Sequence, residues 1–394
     1  MKKTRYEAKN IIDKEIKYKH FETITLNESY GRVLFEDIKA KFNIPECDKS
    51  AVDGYAINVD QLTFPSTLKI TDEAPAGMPQ KELASGAVFI MTGGVLPKGA
   101  NAVVRIEDVE KNVNEITIKK PVKKGDLINL TGEEIAKDNI VLQKGEVLDS
   151  KKVALLANMG YYQIKVYQKP KIGIIVTGNE IKEPFEESDK AGVKNTNYYI
   201  LQGLLKDIAD ITYYGKVDDD LNKMIGLFDR ALNDNDILLS SGGASKGKYD
   251  FIKDIAMHLN LDTKFIMTDI RPGRPLIFAT KKEKLFFGLP GYPSALFVNF
   301  YDFIYPFIKK MAGYKEYQNK ILKATTTQKI RSKEGRVDFV RVNTEFKDGQ
   351  IFIKNSFSQQ TSNFLSMAKS DALAIVDAAK GSLESGELVD IITI

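Results

Sequence analysis

The chain has 394 residues, 43% hydrophobic and 28% charged, a balance typical of soluble globular proteins, and its length predicts about two to four domains. A formal net charge of +4 is too close to neutrality to favour nucleic acid or an anionic membrane as the main partner. One cysteine excludes an intrachain disulfide and a thiolate metal cluster, and two histidines argue against a zinc site or a Ser-His-Asp triad. No secretory signal is visible, so we expect a cytoplasmic protein whose metal, if any, is a hard cation such as Mg²⁺.

The first part of the chain predicts helices on both sides of a β-rich stretch. A capping-box pattern predicts a helix over residues 4–21, and a second short helix is predicted over 27–34. Helical periodicity returns over 149–160, where Gly160 ends it. Short β-type runs separated by Gly, Pro and Asn lie between these helices, at 87–92, 102–106 and 115–118.

From Lys171 onward, strands and helices alternate, which predicts a mainly parallel sheet with helices on both faces. The predicted strands are 171–177, 211–214, 236–241, 263–267, 276–279 and 285–289. The predicted helices are 200–208, 221–232, 251–259 and a long one over 293–311, which Pro306 is expected to kink. Ligands of such sheets bind beyond the carboxyl ends of the strands.

A small β-rich domain is predicted at the end of the chain. Asp348-Gly349 is a hairpin signal between the runs 339–344 and 350–354, and 372–376 and 388–392 add two strands. The chain is therefore an α/β multidomain protein. We divide it into a helical first domain (1–42 plus 137–168), a β-rich insert (43–136), an α/β domain (169–316) and a C-terminal β domain (317–394).

The segment DILLSSGGASKGKYD (236–250) combines a buried strand, two glycines and the beginning of a helix. Free backbone N–H groups and the positive end of a helix dipole at one point suit an anion. The alternative interpretation is that Gly242-Gly243 only makes a tight strand-to-helix turn.

Two more loops are expected at the same sheet edge, TGNE (177–180) and GLPGYP (288–293), with RPGRP (271–275) between them. Glu180, Asp236 and Asp250 would then lie beside arginines and glycine turns. Arginine offers bidentate donors to oxyanions, and carboxylates hold Mg²⁺. Although any one acidic residue could be a solvated loop charge or a helix cap, three loops at one edge favour a site for a phosphate or an oxyanion.

The sequence resembles the molybdopterin molybdenumtransferase family, the MoeA proteins and the E domain of gephyrin, over nearly its whole length. The matching motifs are GRVL (31–34), SAVDGYA (50–56), Thr92-Gly93, GEEI (132–135), TGNE (177–180), SGG (241–243), RPGRP (271–275), GLPG (288–291) and SGE (385–387). The resemblance implies an elongated homodimer with a molybdopterin-binding-like α/β domain and a β-barrel-like last domain. It also implies an enzyme that inserts molybdate into adenylylated molybdopterin with Mg²⁺ and releases AMP and molybdenum cofactor.

The resemblance also implies roles for individual residues, in a site that the family forms between the α/β domain of one subunit and the insert of the other. Catalytic roles fall to Asp53, Thr92, Glu134 and Asp250. Pterin and nucleotide binding fall to Glu180, Asp236, Ser241, Gly242, Gly243, Pro290 and Pro293. Molybdate binding falls to Arg271, Arg274, Pro275, Ser294, Arg341 and Ser362. Metal binding falls to Asp53, Glu180 and Asp250.

Six positions depart from the family pattern, and none of the changes removes an acidic group that the reaction needs. Lys49 and Val52 replace a usual asparagine and methionine, Arg271 and Arg274 stand where lysine is frequent, and Tyr292 and Asp371 stand where asparagine is common. Arginine keeps the charge and adds bidentate donors. The choice between molybdate and tungstate stays open.

Two other functions stay open as alternatives. One is a non-catalytic molybdopterin-binding or scaffold protein of the same fold, and the other is a different enzyme built on the same α/β domain. The expected partners are the small-molecule substrates, a second copy of the chain and a molybdopterin adenylyltransferase, with no nucleic acid and no membrane.

Overall fold

The computed structural model describes residues 1–17, 20–187, 192–218, 220–242, 251–355 and 358–394. The chain forms two compact units. The larger unit comprises Met1–Phe35, Gly145–Asp149 and Ile164–Ile394, and the smaller unit comprises Glu36–Lys144 and Ser150–Gln163. Across the described ranges, no helix combines the length and the apolar character that a membrane crossing requires. The four-domain division stays a prediction.

A six-stranded sheet forms the centre of the larger unit. Its strands are β1 (Lys171–Thr177), β2 (Asp210–Val217), β3 (Ile237–Ser241), β4 (Asp262–Met267), β5 (Pro275–Lys281) and β6 (Lys284–Leu289). Their order is β2-β1-β3-β6-β5-β4. The first four strands in this order are mutually parallel, and β5 pairs antiparallel with both of its neighbours, β6 and β4. The predicted mainly parallel sheet is confirmed.

Helices cover both faces of this sheet, which explains why β1 and β3 are almost continuously apolar. Ile172 and Ile174 of β1 face one hydrophobic core, and Ile175 faces the other. The helices are Asn197–Leu205, Leu221–Asp234, Phe251–His258, Pro293–Asn299 and Tyr305–Met311.

The long helix predicted over 293–311 contains a π-helical turn, Phe300–Ile304, between its two α-helical parts. In this turn the Tyr305 N–H donates to the Phe300 carbonyl oxygen. Pro306 follows at once and has no N–H to continue the α-helical pattern, which is a known cause of such irregularities.

A closed β-barrel ends the larger unit. Its strands are β7 (Leu322–Thr326), β8 (Val337–Lys347), β9 (Gln350–Asn355), β10 (Ala372–Val376) and β11 (Leu388–Thr393). They follow the order β8-β9-β7-β11-β10, and β10 pairs with β8 to close the barrel. Asp348 and Gly349 have φ of +50° and +75°, so the predicted hairpin turn is confirmed. Strand β7 was not predicted from the sequence.

The N-terminal part of the larger unit is less helical than expected. Thr4 and Glu7 form a capping box at the start of the helix Arg5–Glu15, which ends earlier than residue 21. The helix predicted over 27–34 is wrong, because only the 3₁₀ turn Leu26–Glu28 forms. Gly31 then takes φ +74°, which an α-helix does not accommodate.

The smaller unit holds a six-stranded sheet of its own. In spatial order its strands are Ala102–Arg105, Gly54–Ile57, Ala87–Ile90, Ser66–Ala74, Glu115–Ile118 and Val109–Asn112. The three predicted strands are present, and the helix Ser150–Asn158 follows as expected. A Cβ at Gly54 would lie 2.1 Å from the Val104 carbonyl oxygen, so the residue after Asp53 must be glycine for the central strand to pair.

Candidate functional site

A cavity of about 990 Å³ opens in the larger unit where β1, β3 and β6 end. Because these strands are parallel, their carboxyl ends meet, as the alternation of strands and helices predicts. Three of the predicted loops line the cavity, namely 177–180, the residues Ser241 and Gly242, and 290–293. Gly243 and Asp250 lie outside the described residues.

The glycine after β3 is required by its surroundings. Gly242 has φ +99°, and a Cβ there would lie 2.6 Å from the Thr177 carbonyl oxygen. The Cα of Gly242 in turn lies 3.7 Å from the position that a Cβ on Gly291 would take. The backbone of three loops can therefore approach closely, and a ligand can reach main-chain groups that a side chain would cover.

Asn197 is hydrogen-bonded to two of these loops. It is 6% exposed, and its Nδ2 donates to Ser241 Oγ at 2.6 Å and to the Gly291 carbonyl oxygen at 2.8 Å. No hydrogen-bond partner of its Oδ1 is found among the residues that the structure describes. The sequence pattern did not single out Asn197, because an asparagine at the beginning of a helix looks like an ordinary cap.

The turn formed by residues 271–275, here called the arginine turn, lines the same cavity. Arg271 and Arg274 are exposed at its surface. Ile270 and Arg271 pair in parallel with Val337 and Asp338 of β8, so the barrel supports the turn.

Basic side chains outnumber acidic ones around the cavity. Among the described lining residues six are basic and three are acidic, a difference of three positive charges: Lys2, Lys194, Arg271, Arg274, Lys333 and Arg336 against Glu180, Asp269 and Glu334. Such a lining favours an anionic ligand. The prediction of an anion site at this edge therefore gains a physical basis beyond the glycine motif.

A hydrogen-bonded group supports one wall of the cavity. The Tyr213 hydroxyl donates to Glu183 Oε1 at 2.6 Å, and Asn195 Nδ2 donates to the same oxygen at 3.0 Å. Burial, together with the neighbouring Glu183 carboxylate, raises the pKa of Tyr213 well above its ordinary value. Tyr213 therefore stays protonated and keeps donating at neutral pH.

Arg341 shapes a loop of the cavity wall and is not among the residues that line it. Its side chain is buried and donates to the carbonyl oxygens of Ser358, Gln360 and Asn363, at 3.3, 3.0 and 3.3 Å. Burial lowers the pKa of this guanidinium. The structure thus places Arg341 behind the loop.

Ser294 and Ser362 lie near the loop around Thr361, but only Ser294 is buried and hydrogen-bonded to it. Ser294 is buried and its hydroxyl donates to the carbonyl oxygen of Thr361, which lines the cavity. Ser362 follows Thr361 and is exposed, and it is not one of the lining residues. Glu180, Pro275, Pro290 and Pro293 do line the cavity, as expected.

The predicted position of Asp236 at the carboxyl edge of the sheet is wrong. It precedes β3, so it lies at the amino end of the strand, opposite the cavity. There its carboxylate accepts a hydrogen bond from the Lys171 N–H at 2.8 Å and lies 3.8 Å from Lys284 Nζ. Lys171 and Lys284 are the first residues of β1 and β6, so the interaction joins the amino ends of three strands.

In the smaller unit, Asp53 and Thr92 are brought together. The Thr92 N–H and hydroxyl donate to Asp53 Oδ1 at 2.7 and 2.9 Å. These two hydrogen bonds lower the pKa of the exposed Asp53 carboxyl. Glu134 is exposed in the loop 132–135, and its N–H donates to the Ile44 carbonyl oxygen at 3.1 Å.

The carboxylates of Asp53 and Glu180 are of the ligand type that Mg²⁺ prefers. Within the described residues, however, no three His, Cys, Asp or Glu side chains are grouped closely enough to hold a metal ion. An Mg²⁺ ion would therefore depend on further oxygens, such as those of a phosphate ligand or water.

An α/β sheet with a predominantly basic cavity at its strand ends, joined to a β-barrel, is an arrangement suited to a small anionic ligand. Three family models match the chain: the MoeA N-terminal region (domains I and II) at 4–160, a probable molybdopterin binding domain at 173–310, and the MoeA C-terminal region (domain IV) at 323–394. The chain belongs to the MoeA family.

Curated relatives and solved structures agree with this assignment. The molybdopterin molybdenumtransferase of Staphylococcus aureus MRSA252 is 30% identical over 378 residues, covering 94% of this chain and 90% of the relative. The Staphylococcus epidermidis protein of the same name is 31% identical and covers 99% and 96%. A crystal structure of the molybdopterin biosynthesis MoeA protein from Pyrococcus horikoshii superimposes with a TM-score of 0.85 at 31% identity, covering 100% of both chains.

Proposed function

We propose that this chain is a molybdopterin molybdenumtransferase, which inserts molybdate into adenylylated molybdopterin and releases AMP and molybdenum cofactor. The observation that carries the proposal is the cavity at the strand ends, where glycine loops and an excess of basic side chains meet. Both reactants are anions, and one cavity must hold them together. Positioning and electrostatic stabilisation then supply most of the rate effect.

The glycine loops are the proposed site for the phosphates of the pterin nucleotide. Gly242 and Gly291 leave the main chain uncovered, and Asn197 holds both loops at a fixed distance. Pro290 and Pro293 shape the wall beside them. Glu180, on the loop after β1, faces the same cavity and is the proposed acidic contact of the pterin nucleotide.

The arginine turn is the proposed site for molybdate. Arg271 and Arg274 present two guanidinium groups to the cavity, and such groups bind oxyanions bidentately. We assign Arg341 and Ser294 to the support of the loop around Thr361 rather than to direct contact. Ser362 remains the proposed polar contact from that loop.

Asp53 is the proposed catalytic carboxylate, oriented by Thr92, and Glu134 is assigned a role beside it. These residues enter the proposal through the family motif alone. Asp53, Glu180 and Asp250 are the proposed holders of Mg²⁺, which when bound would shield the phosphate charge. In the proposed step an oxygen of water or molybdate attacks the adenylate phosphorus, and the phosphoanhydride bond breaks with molybdopterin phosphate as the leaving group. With water as the nucleophile, AMP forms directly. With molybdate as the nucleophile, the attacking oxygen stays on the phosphorus and its bond to molybdenum breaks as molybdenum passes to molybdopterin, so AMP is again the product.

We extend the proposal to the setting of the reaction. The enzyme acts in the cytoplasm as a homodimer, and a molybdopterin adenylyltransferase supplies its substrate. These three statements rest on the family resemblance.

The test is AMP release from adenylylated molybdopterin with Mg²⁺, measured without oxyanion, with molybdate and with tungstate. Molybdate-stimulated release is the expected result. A response to tungstate alone would identify a tungstate-preferring enzyme. Tight binding of the pterin nucleotide without release would overturn catalysis in favour of a pterin-binding or scaffold protein.

A further inference from the structure

Asn299 lies fully buried at the end of the helix Pro293–Asn299, next to the arginine turn. Its Nδ2 donates to the Pro275 carbonyl oxygen at 3.0 Å. A carbonyl oxygen only accepts, so this contact fixes which side of the carboxamide faces the turn. Asn299 therefore holds the last residue of the turn from inside the core.

The centre of the turn packs against the same side chain. Gly273 has φ +103°, and a Cβ added to it would lie 3.0 Å from Asn299 Cγ and Nδ2 and 3.0 Å from the Ala295 carbonyl oxygen. The space between the turn and the helix thus admits a hydrogen atom and little more. Asn299 therefore contacts the centre of the turn, together with the Ala295 carbonyl oxygen, as well as anchoring its end.

Backbone contacts hold the remainder of the turn. The Arg274 carbonyl oxygen accepts from the Thr268 N–H at 2.9 Å, and Arg271 pairs with Asp338 in β8. The main chain is therefore fixed at its beginning, its centre and its end, whereas both arginine side chains remain exposed toward the cavity. Among these contacts, those of Asn299 come from a side chain that a substitution can remove.

We propose that Asn299 is a positioning residue for oxyanion binding. Its carboxamide holds the arginine turn in the conformation that presents Arg271 and Arg274 to one tetrahedral dianion. The inference rests on the proposed function, because it takes molybdate as the ligand of the turn. Preorganised donors bind more tightly than mobile ones, so releasing the turn lowers affinity while the charge of the cavity is unchanged.

The experiment measures binding of molybdate, tungstate and AMP separately, by calorimetry on the full chain. The variants are Asn299→Leu, which keeps the volume but removes the donor, and Asn299→Ala, which removes both. We expect oxyanion affinity to fall about tenfold, equivalent to about 1.4 kcal/mol, with AMP affinity within about twofold of the unchanged chain. In the AMP-release assay, KM for molybdate should rise while kcat is retained.

The matched control is Asn235→Ala. Asn235 is equally buried and donates to the Ala231 carbonyl oxygen at 2.8 Å and to the Tyr214 hydroxyl at 2.9 Å, at the amino end of β3. Asn235→Ala should lower the thermal unfolding midpoint about as much as Asn299→Ala does, and it should leave the oxyanion affinity unchanged. If Asn235→Ala and Asn299→Ala lose oxyanion affinity equally, Asn299 contributes only to the stability of the core, and the inference is overturned.

The remaining outcomes separate the inference from the proposed function. If the unchanged chain binds oxyanion and both Asn299 variants bind it equally well, the positioning role is wrong and the transferase proposal stands. If the unchanged chain binds AMP but no oxyanion, the assignment of the arginine turn to molybdate fails, and the role of Asn299 fails with it.

Discussion

Thr92 donates both its N–H and its hydroxyl to one oxygen of Asp53, at 2.7 and 2.9 Å. Two donors on one carboxylate oxygen stabilise the ionised form and leave Oδ2 as the oxygen without a bond to Thr92. The turn at Asp53-Gly54 and the loop at Thr92-Gly93 are therefore joined into one structural unit, although 39 positions separate the two side chains.

Replacing Asp53 should stop turnover without unfolding the chain. The side chain is exposed, so Asp53→Ala and Asp53→Asn should leave the thermal unfolding midpoint nearly unchanged. AMP release should fall by about 100-fold or more, the scale of losing one preorganised electrostatic contact. Asn at this position still accepts from Thr92, so equal losses in both variants would identify the charge as the necessary property. Undiminished release would remove Asp53 from the mechanism.

Thr92→Val should move the pH dependence of the reaction. The variant keeps the N–H donor and loses the hydroxyl, so the lowered pKa of Asp53 should rise toward its ordinary value. A carboxylate with a lowered pKa stays ionised at pH values above that pKa, and it loses its negative charge as pH falls through the pKa. The acidic limb of AMP release should therefore shift to higher pH.

Thr117→Val is the matched control for this shift. Thr117 lies on the same sheet and its hydroxyl is 3.0 Å from that of Thr67, with no part in the proposed site. The acidic limb of AMP release by Thr117→Val should coincide with that of the unchanged chain. If the pH profile of Thr92→Val also coincides with that of the unchanged chain, Asp53 ionisation does not limit the rate.

The sequence predicted those parts of the fold in which pattern and local chemistry agree. Continuous apolar runs correctly indicated β1 and β3, because helices bury both faces of a parallel sheet. Thr4 and Glu7 correctly located a helix start, since a capping box needs only neighbours in sequence.

The errors arise where the outcome depends on distant parts of the chain. Asp236 was expected at the cavity because it adjoins a glycine motif, yet a carboxylate before a strand lies at the strand's amino end. The family resemblance assigned Arg341 to molybdate, whereas the fold buries its side chain among carbonyl oxygens. Asn197 and Asn299 were missed because their acceptors lie as far as 94 and 24 positions away.

Asn197→Ala should weaken binding of the pterin nucleotide. The variant removes hydrogen bonds to Ser241 and Gly291, so the two loops lose their common anchor. Ser241→Ala removes one of these bonds and should raise KM for the pterin nucleotide about fivefold, since a hydrogen bond contributes a net stabilisation of about 1 kcal/mol. Asn197→Ala removes both bonds and should raise this KM more than tenfold. Exposed Asn222→Ala is the control, and equal KM values for all three variants would contradict the anchoring role.

Arg5 and the buried Asp302 form an ion pair that should stabilise the fold at neutral pH. Arg5 Nε and Nη2 donate to Asp302 at 2.7 and 2.6 Å, and the Asp302 side chain is 1% exposed. Asp302→Asn should lower the free energy of unfolding by about 3–5 kcal/mol, because it leaves the Arg5 charge without its partner. Urea unfolding at pH 7 measures this loss. Asp13→Asn, which breaks the partly exposed pair with Lys310, should cost about 1 kcal/mol or less.

The same pair predicts the direction of acid sensitivity. Burial opposes ionisation of Asp302, but the Arg5 hydrogen bond and the Lys9 and Arg5 charges outweigh it and lower its pKa below the ordinary 3.8. The stabilisation is therefore complete above that ordinary value and disappears as pH falls through the lowered pKa. Unfolding free energies of the unchanged chain and of Asp302→Asn should converge below pH 3.8 and stay apart above it. A constant difference across this range would mean that Asp302 stabilises the fold through packing and not through its charge.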